Sequence, residues 1–272
     1  MSAAFRASEP ALITSRRNPL VRQLRQLHTP AGRRQQDLLL LEGTHLVQEV
    51  LRLGLVPQQL VVTPQWCERH SPLLAALNAT AILVSPEVLA AVATTDHPDG
   101  VVLTLSPPQP AQRAADFVLV LDGIQDPGNL GTLLRTALAA GIAQVWLAGG
   151  ADPLQPKVLR ASAGAALALP PRRLERDGVI DLIHQAIACG SQVVAAVPPA
   201  AAGSRPYWEL DWRLPTLLLL GAEGPGLSPA LQQLATARVC IPHSDAVESL
   251  NVAVAAAPLL LERHRQERMP PN

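Results

Sequence analysis

At 272 residues the chain has room for two ordinary domains, and 48% hydrophobic against 16% charged residues excludes wholesale disorder. Aromatics make up only 3%, so Leu, Val, Ile and Ala must build the core, and base stacking is a poor way for this protein to hold nucleic acid. The net charge of zero carries no overall polyanion-binding excess; Cys67, Cys189 and Cys240 form no CxxC pair and argue against disulfides or zinc; the absence of an apolar run of signal-peptide or membrane-span length predicts a cytoplasmic protein with no metal and no membrane partner.

The charge is unevenly spread. Between Met1 and Arg34 stand Arg6, Arg16, Arg17, Arg22, Arg25, Arg33 and Arg34 against one acid, Glu9. This basic arm has two readings, a contact for nucleic-acid phosphate or a solvated terminus. From residue 10 to residue 105 short apolar runs alternate with helical patterns, which predicts a small α/β unit. Its strands are expected at 37–41, 59–62 and 81–84, and its helices at 44–53 and 86–93. Three prolines in SPPQPAQ make residues 106–114 an interdomain linker, leaving 115–268 as a second domain with frayed residues beyond it.

The second domain opens on FVLVLD (Phe117 to Asp122), a continuous apolar run of the kind a buried parallel strand shows. DGIQDPGNLG then leads into a helix, and VWLAGG (Val145 to Gly150) supplies the next strand. The same order returns in TLLLLGAEGPGLS (Thr216 to Ser228) with a helix through Leu234, and in RVCIP (Arg238 to Pro242) with a loop and the apolar segment LNVAVAAAPLLLERHRQ. Strands, helices and glycine loops in this alternation predict a mainly parallel α/β sheet with its ligand site at the carboxyl ends of the strands.

The loops match no common nucleotide fingerprint: neither GxGxxG nor GxxxxGK[ST] is present, and Gly221, Gly224 and Gly226 have the spacing GxxGxG, which is also that of a plain tight turn. Asn129 precedes a helical stripe of Leu130, Leu133, Leu134, Ala137 and Leu138, so its simplest role is an N-cap. Arg135 falls off that stripe and points toward solvent or a cleft. Ser249 reads as the N-cap of the last helix, which is apolar nearly all round and so belongs in a core or a subunit interface; Pro258 should kink or shorten it. His243, Ser244 and Asp245 are adjacent, but catalytic triads converge from separated positions and no GxSxG elbow accompanies them.

Together, DPGNLGTLLRTALAAG (Asp126 to Gly141), LLLGAEGPGLS (Leu218 to Ser228) and IPHSDAVESLNVAVAAA (Ile241 to Ala257) resemble the three ordered motifs of the SpoU, or TrmH-like, RNA ribose 2′-O-methyltransferases of the SPOUT superfamily. PKVLRASAGAALALP, ITSRRNPLVRQLRQL and LLLEGTHLVQEVLRLG are also similar to that family, extending the resemblance over nearly the whole chain. It implies an amino-terminal RNA substrate-binding domain and a catalytic domain with a deep trefoil knot, a rare exception to the rule against threaded chains. It implies a homodimer whose subunits both contribute to each active site, with S-adenosylmethionine as cofactor.

By position, the resemblance puts the cofactor against backbone at Gly221, Ile241 and Leu250, and matches Asn129, Arg135, Glu223, Ser249 and Asn251 to polar active-site positions. Arg135 would hold a phosphate and stabilise a developing alkoxide, because a guanidinium stays protonated and makes a poor base. The separate substrate domain implies ribosomal RNA, with 23S RNA of the large subunit preferred to tRNA as the substrate; an inactive RNA-binding protein of the same fold is the other alternative. His243, Asp245 and Pro258 depart from the family pattern in the last motif.

Overall fold

The structure, a computed structural model, describes residues 11–77, 79–110 and 116–268. Arg6 and Glu9 of the basic arm, linker residues 111–114 and the chain end beyond Arg268 lie outside the described residues.

In chain order the elements are α1 (Pro19–Gln26), α2 (Pro30–Gln36), β1 (Leu39–Glu42), α3 (Thr44–Arg52), β2 (Gln59–Val62), α4 (Pro64–Arg69), α5 (Ser71–Leu77), β3 (Ala81–Leu83), α6 (Pro86–Val92) and β4 (Val101–Leu105). There follow β5 (Phe117–Asp122), α7 (Pro127–Ala139), β6 (Gln144–Ala148), α8 (Pro156–Ala161), α9 (Ala165–Ala168), β7 (Arg172–Leu174), α10 (Arg176–Ala188), β8 (Gln192–Ala196) and β9 (Ser204–Pro206). The last are β10 (Thr216–Gly221), α11 (Pro229–Leu234), β11 (Ala237–Cys240) and α12 (Val252–Arg268).

These elements form two compact units, one of residues up to Pro107 together with Leu154–Gly164, the other of Pro108–Pro153 and everything after Gly164. In the first, four strands lie in the order β1-β4-β2-β3, with β4 antiparallel to both neighbours and β3 parallel to β2. Val21, Leu24 and Leu27 pack with Val88, Leu89 and Val92 against Leu40, Val61 and Val102 of that sheet. Helix α8, sequence-distant, joins this unit with Pro156, Val158 and Leu159 buried. Its Arg160 pairs with the buried Glu42 at 2.9 Å. Burial alone would raise the Glu42 carboxyl, but hydrogen bonds from Thr95 and Thr94, aided by Arg160, hold it below its ordinary value.

The second unit is a seven-stranded parallel sheet in the order β7-β6-β5-β10-β8-β11-β9. Strand β5 is buried at every position, as its unbroken apolar run requires. Val118, Val120, Leu217 and Leu219 of the central strands meet Val179 and Ile183 of α10, and α7 packs against α12. The chain leaves β5 toward β6 on one side, while β10 pairs on the other. Such a reversal opens a crevice at the carboxyl ends of the strands, where ligands of open α/β sheets bind. Among the described residues, no helix is long and apolar enough to cross a membrane and no cluster of side chains could hold a metal ion.

Candidate active site

At the carboxyl end of β5, Asp122 is buried, and its carboxylate accepts from Arg176 Nη2 at 3.0 Å and from the Ser228 backbone N–H at 2.7 Å. One loop later Asp126 caps α7, its Oδ1 accepting from the Asn129 N–H at 2.7 Å, with Pro127 in the first turn. This corrects the expected cap: Asn129 stands inside the helix, three residues after Asp126, so its amide side chain is free for longer-range work. The apolar stripe is as expected, with Leu130, Leu133, Leu134 and Ala137 buried.

The glycine loop after β10 closes on itself. Ala222 and Gly226 exchange backbone hydrogen bonds of 3.2 and 3.0 Å, and a Cβ at Gly221 would stand 2.1 Å from the Gly226 carbonyl carbon. Glycine at 221 is thus required by the loop's own backbone. Gly224 and Gly226 both have positive φ and open space where a Cβ would lie. Ser228, tied to Asp122, ends the loop, which leaves Glu223 exposed at its tip.

The last loop enters α12 through Asn251, not Ser249: Asn251 Oδ1 accepts from the N–H groups of Ala253 and Val254 at 2.9 and 3.2 Å. The helix is also neither shortened nor ended by Pro258, running from Val252 to Arg268 with the proline inside it. Packing of Ala253, Ala256, Leu259 and Leu260 into the core outweighs the one lost backbone hydrogen bond. His243, where the family pattern is broken, turns its Nδ1 onto the Ile241 carbonyl at 2.8 Å and so braces the loop from within.

Three expected residues come together. Asn129 Nδ2 donates to Glu223 Oε1, and Asn251 Nδ2 donates to Asn129 Oδ1 at 3.0 Å. One amide therefore joins the loops that follow β5, β10 and β11, using both its donor and its acceptor. Arg135, two turns further along α7, is exposed and bonds to no described residue; Ser249 is likewise exposed and outside this chain of bonds. Ile241 and Leu250, at the two ends of the last loop, are half-buried. The side-chain-free surface at Gly224 and Gly226 and the half-buried Ile241 and Leu250 are the kinds of group that suit an adenosyl moiety approaching backbone, the cofactor class that the resemblance implies. The sequence assigns no role to the side chains of Asp122, Asp126 and Arg176. The Asp-Pro pair at 126–127 is a helix-start signal that could have found the second of them.

Residues 116–261 match the model of the SpoU rRNA Methylase family, and residues 18–103 that of the MRM3-like substrate binding domain. A tRNA/rRNA methyltransferase of Synechocystis sp. is 46% identical over 271 residues, 96% of each chain. The 23S rRNA (guanosine(2553)-2′-O)-methyltransferase of Bacillus subtilis is 32% identical, covering 91% of this chain and 97% of its own. Among solved structures, the AdoMet-bound rRNA methyltransferase of Sinorhizobium meliloti superposes with a TM-score of 0.79 at 32% identity, over 94% of this chain and 98% of that one.

Proposed function

The chain belongs to the SpoU rRNA methylase family, and from that premise we propose that it is an S-adenosylmethionine-dependent RNA methyltransferase acting on a ribose 2′-hydroxyl of 23S ribosomal RNA in the cytoplasm. The observation that carries this reading is the bonded chain Glu223–Asn129–Asn251, which fastens three motif loops around one point at the carboxyl edge of the parallel sheet.

When bound, the cofactor supplies a methyl group on a sulfonium centre. The protein's part is to hold the attacking hydroxyl in line and to stabilise charge as its proton leaves. Asn129 and Asn251 fix the loops, Glu223 orders the glycine loop, and peptide groups at Gly221, Ile241 and Leu250 receive the cofactor. Arg135, permanently charged and with no intramolecular partner among the described residues, takes the phosphate next to the target ribose and steadies the alkoxide. Ser249 orients the ribose.

The same reading includes the deep trefoil knot and a homodimer. Val254 and Leu261, one heptad apart on α12, are 63% and 43% exposed, a pair of large apolar side chains suited to a second subunit. Across such an interface the exposed Arg135 serves a site to which both subunits contribute.

The test is methyl transfer from radiolabelled S-adenosylmethionine to unmodified 23S RNA and to unmodified tRNA, with the product nucleoside identified after digestion. A 2′-O-methylnucleoside in 23S RNA is expected. Label confined to tRNA would move the substrate, label on a base would overturn the reaction, and no transfer with either RNA would leave an inactive RNA-binding member of the family.

A further inference from the structure

Residues 11–36 contain Arg16, Arg17, Arg22, Arg25, Arg33 and Arg34 and no acidic residue. The structure divides these arginines into two kinds. Arg33 is 5% exposed, and its Nη1 donates to the carbonyls of Leu27 and His28 at 2.8 and 3.0 Å, so it is a strut that ties α2 to the end of α1. Other bonds stiffen the same joint. Gln36 Nε2 donates to the Gln23 carbonyl and to Gln26 Oε1, each at 3.2 Å, and Thr29 caps α2 while its hydroxyl donates to the Gln26 carbonyl at 3.0 Å. Gly32 leaves no room for a side chain, since a Cβ there would lie 2.0 Å from the Gln26 carbonyl oxygen.

Of the remaining five, Arg16 is exposed but lies within electrostatic reach of Glu87, and the other four face outward without such a neighbour. Arg17, Arg22, Arg25 and Arg34 are exposed, and their guanidinium groups pair with no described residue. Elsewhere in the same unit, by contrast, Arg52 is held by Glu49 at 2.6 Å and Arg160 by Glu42. Arg22, Arg25 and Arg34 on the braced helix pair, with Arg17 just before α1, give a positive surface whose backbone is set before any ligand arrives, so binding has only the side chains to order. Base recognition has no equivalent there. Trp66 is the sole Trp, Tyr or Phe among the described residues of this unit; it is 2% exposed and its ring N–H donates to Thr44 Oγ1 at 2.8 Å.

We propose that the α1–α2 face grips the sugar-phosphate backbone of the RNA substrate through Arg17, Arg22, Arg25 and Arg34, and reads no base. This rests on the RNA reading given above and adds to it the surface, its chemistry and its indifference to sequence. The choice of nucleotide then falls to RNA shape and to the second unit.

The test is filter binding of unmodified 23S RNA to the full chain across a salt series, comparing the parent with the combined variant Arg22→Gln, Arg25→Gln, Arg34→Gln and with Arg52→Gln. The triple variant is expected to bind about tenfold to a hundredfold more weakly near 0.1 M salt, and to lower the slope of log affinity against log salt by about 2 to 3, as loss of three phosphate contacts requires. Arg52→Gln should match the parent, and S-adenosylmethionine affinity should be the same in all three, which separates lost contacts from lost folding. Equal affinity and equal slope in parent and triple variant would overturn the face while leaving the methyltransferase reading intact. Failure of the parent itself to bind RNA would overturn both. Arginine-dependent binding to phosphatidylglycerol vesicles, with RNA binding unaffected, would reassign the face to a lipid surface.

Discussion

Arg135 carries a fixed charge on the exposed side of α7, and its removal touches neither the buried stripe of that helix nor the Asn129 bonds. Arg135→Ala should therefore lower methyl transfer at least about a hundredfold, the usual cost of removing a charge-stabilising donor, with S-adenosylmethionine affinity changed less than about twofold. Isothermal titration with a single-turnover assay checks both halves, and turnover near that of the parent would remove Arg135 from its assigned role. Glu42 answers a different question, that of acid stability. Its carboxyl sits below the ordinary glutamate value in the folded protein, so the stabilisation it gives is present above that ordinary value and is lost as pH falls through the folded value. Glu42→Gln should melt at a lower temperature than the parent at neutral pH and lose less than the parent between about pH 5 and pH 3. Parallel curves in calorimetric scans would contradict the assigned bonds from Thr94, Thr95 and Arg160.

At the scale of elements, proline is the punctuation of this chain. Asn18-Pro19, Thr29-Pro30, Thr63-Pro64, Ser85-Pro86 and Asp126-Pro127 each open a helix with a capping side chain and a ring at the first position. Read as punctuation, these pairs mark α1, α2 and α4, which apolar periodicity misses because the helices are only 8, 7 and 6 residues long. The long runs behaved otherwise. β5 at 117–122 and β2 at 59–62 stand at the expected bounds because an unbroken apolar segment has one way to be buried in a covered sheet. Of the expected site residues the structure joins Asn129, Glu223 and Asn251, and that wiring was not legible: the three are far apart in sequence, and no periodicity states that one amide joins them. Pro258 is the exception to the punctuation, lying within α12 with no break in the helix. Proline in a helix interior costs about 3 kcal/mol relative to alanine. Pro258→Ala should recover about 1 to 3 kcal/mol of that in denaturant unfolding while leaving methyl transfer unchanged, and a loss of stability would show that the ring is needed where it packs.

For the whole molecule, sequence order and structural membership part company at Leu154–Gly164. These residues follow β6 in the chain yet belong to the unit of β1–β4, where Val158 and Leu159 are fully buried and Arg160 reaches Glu42. The sequence reading assigned them to the catalytic part because a linear boundary at a proline-rich segment allows one crossing, whereas the chain makes three. A fragment of residues 108–272 consequently carries a segment whose apolar side chains have lost the surface they cover. In that fragment limited proteolysis should cut within 154–164 many times faster than in the full chain, since opening there no longer exposes anything that was buried against β1. Adding separately purified residues 1–107 should restore protection if the two pieces recombine through α8. Equal cleavage rates in fragment and full chain would mean that Leu154–Gly164 is held by the parallel-sheet unit after all. The fragment should still bind S-adenosylmethionine, because Asn129, Glu223 and Asn251 and the strands that carry them all lie within it.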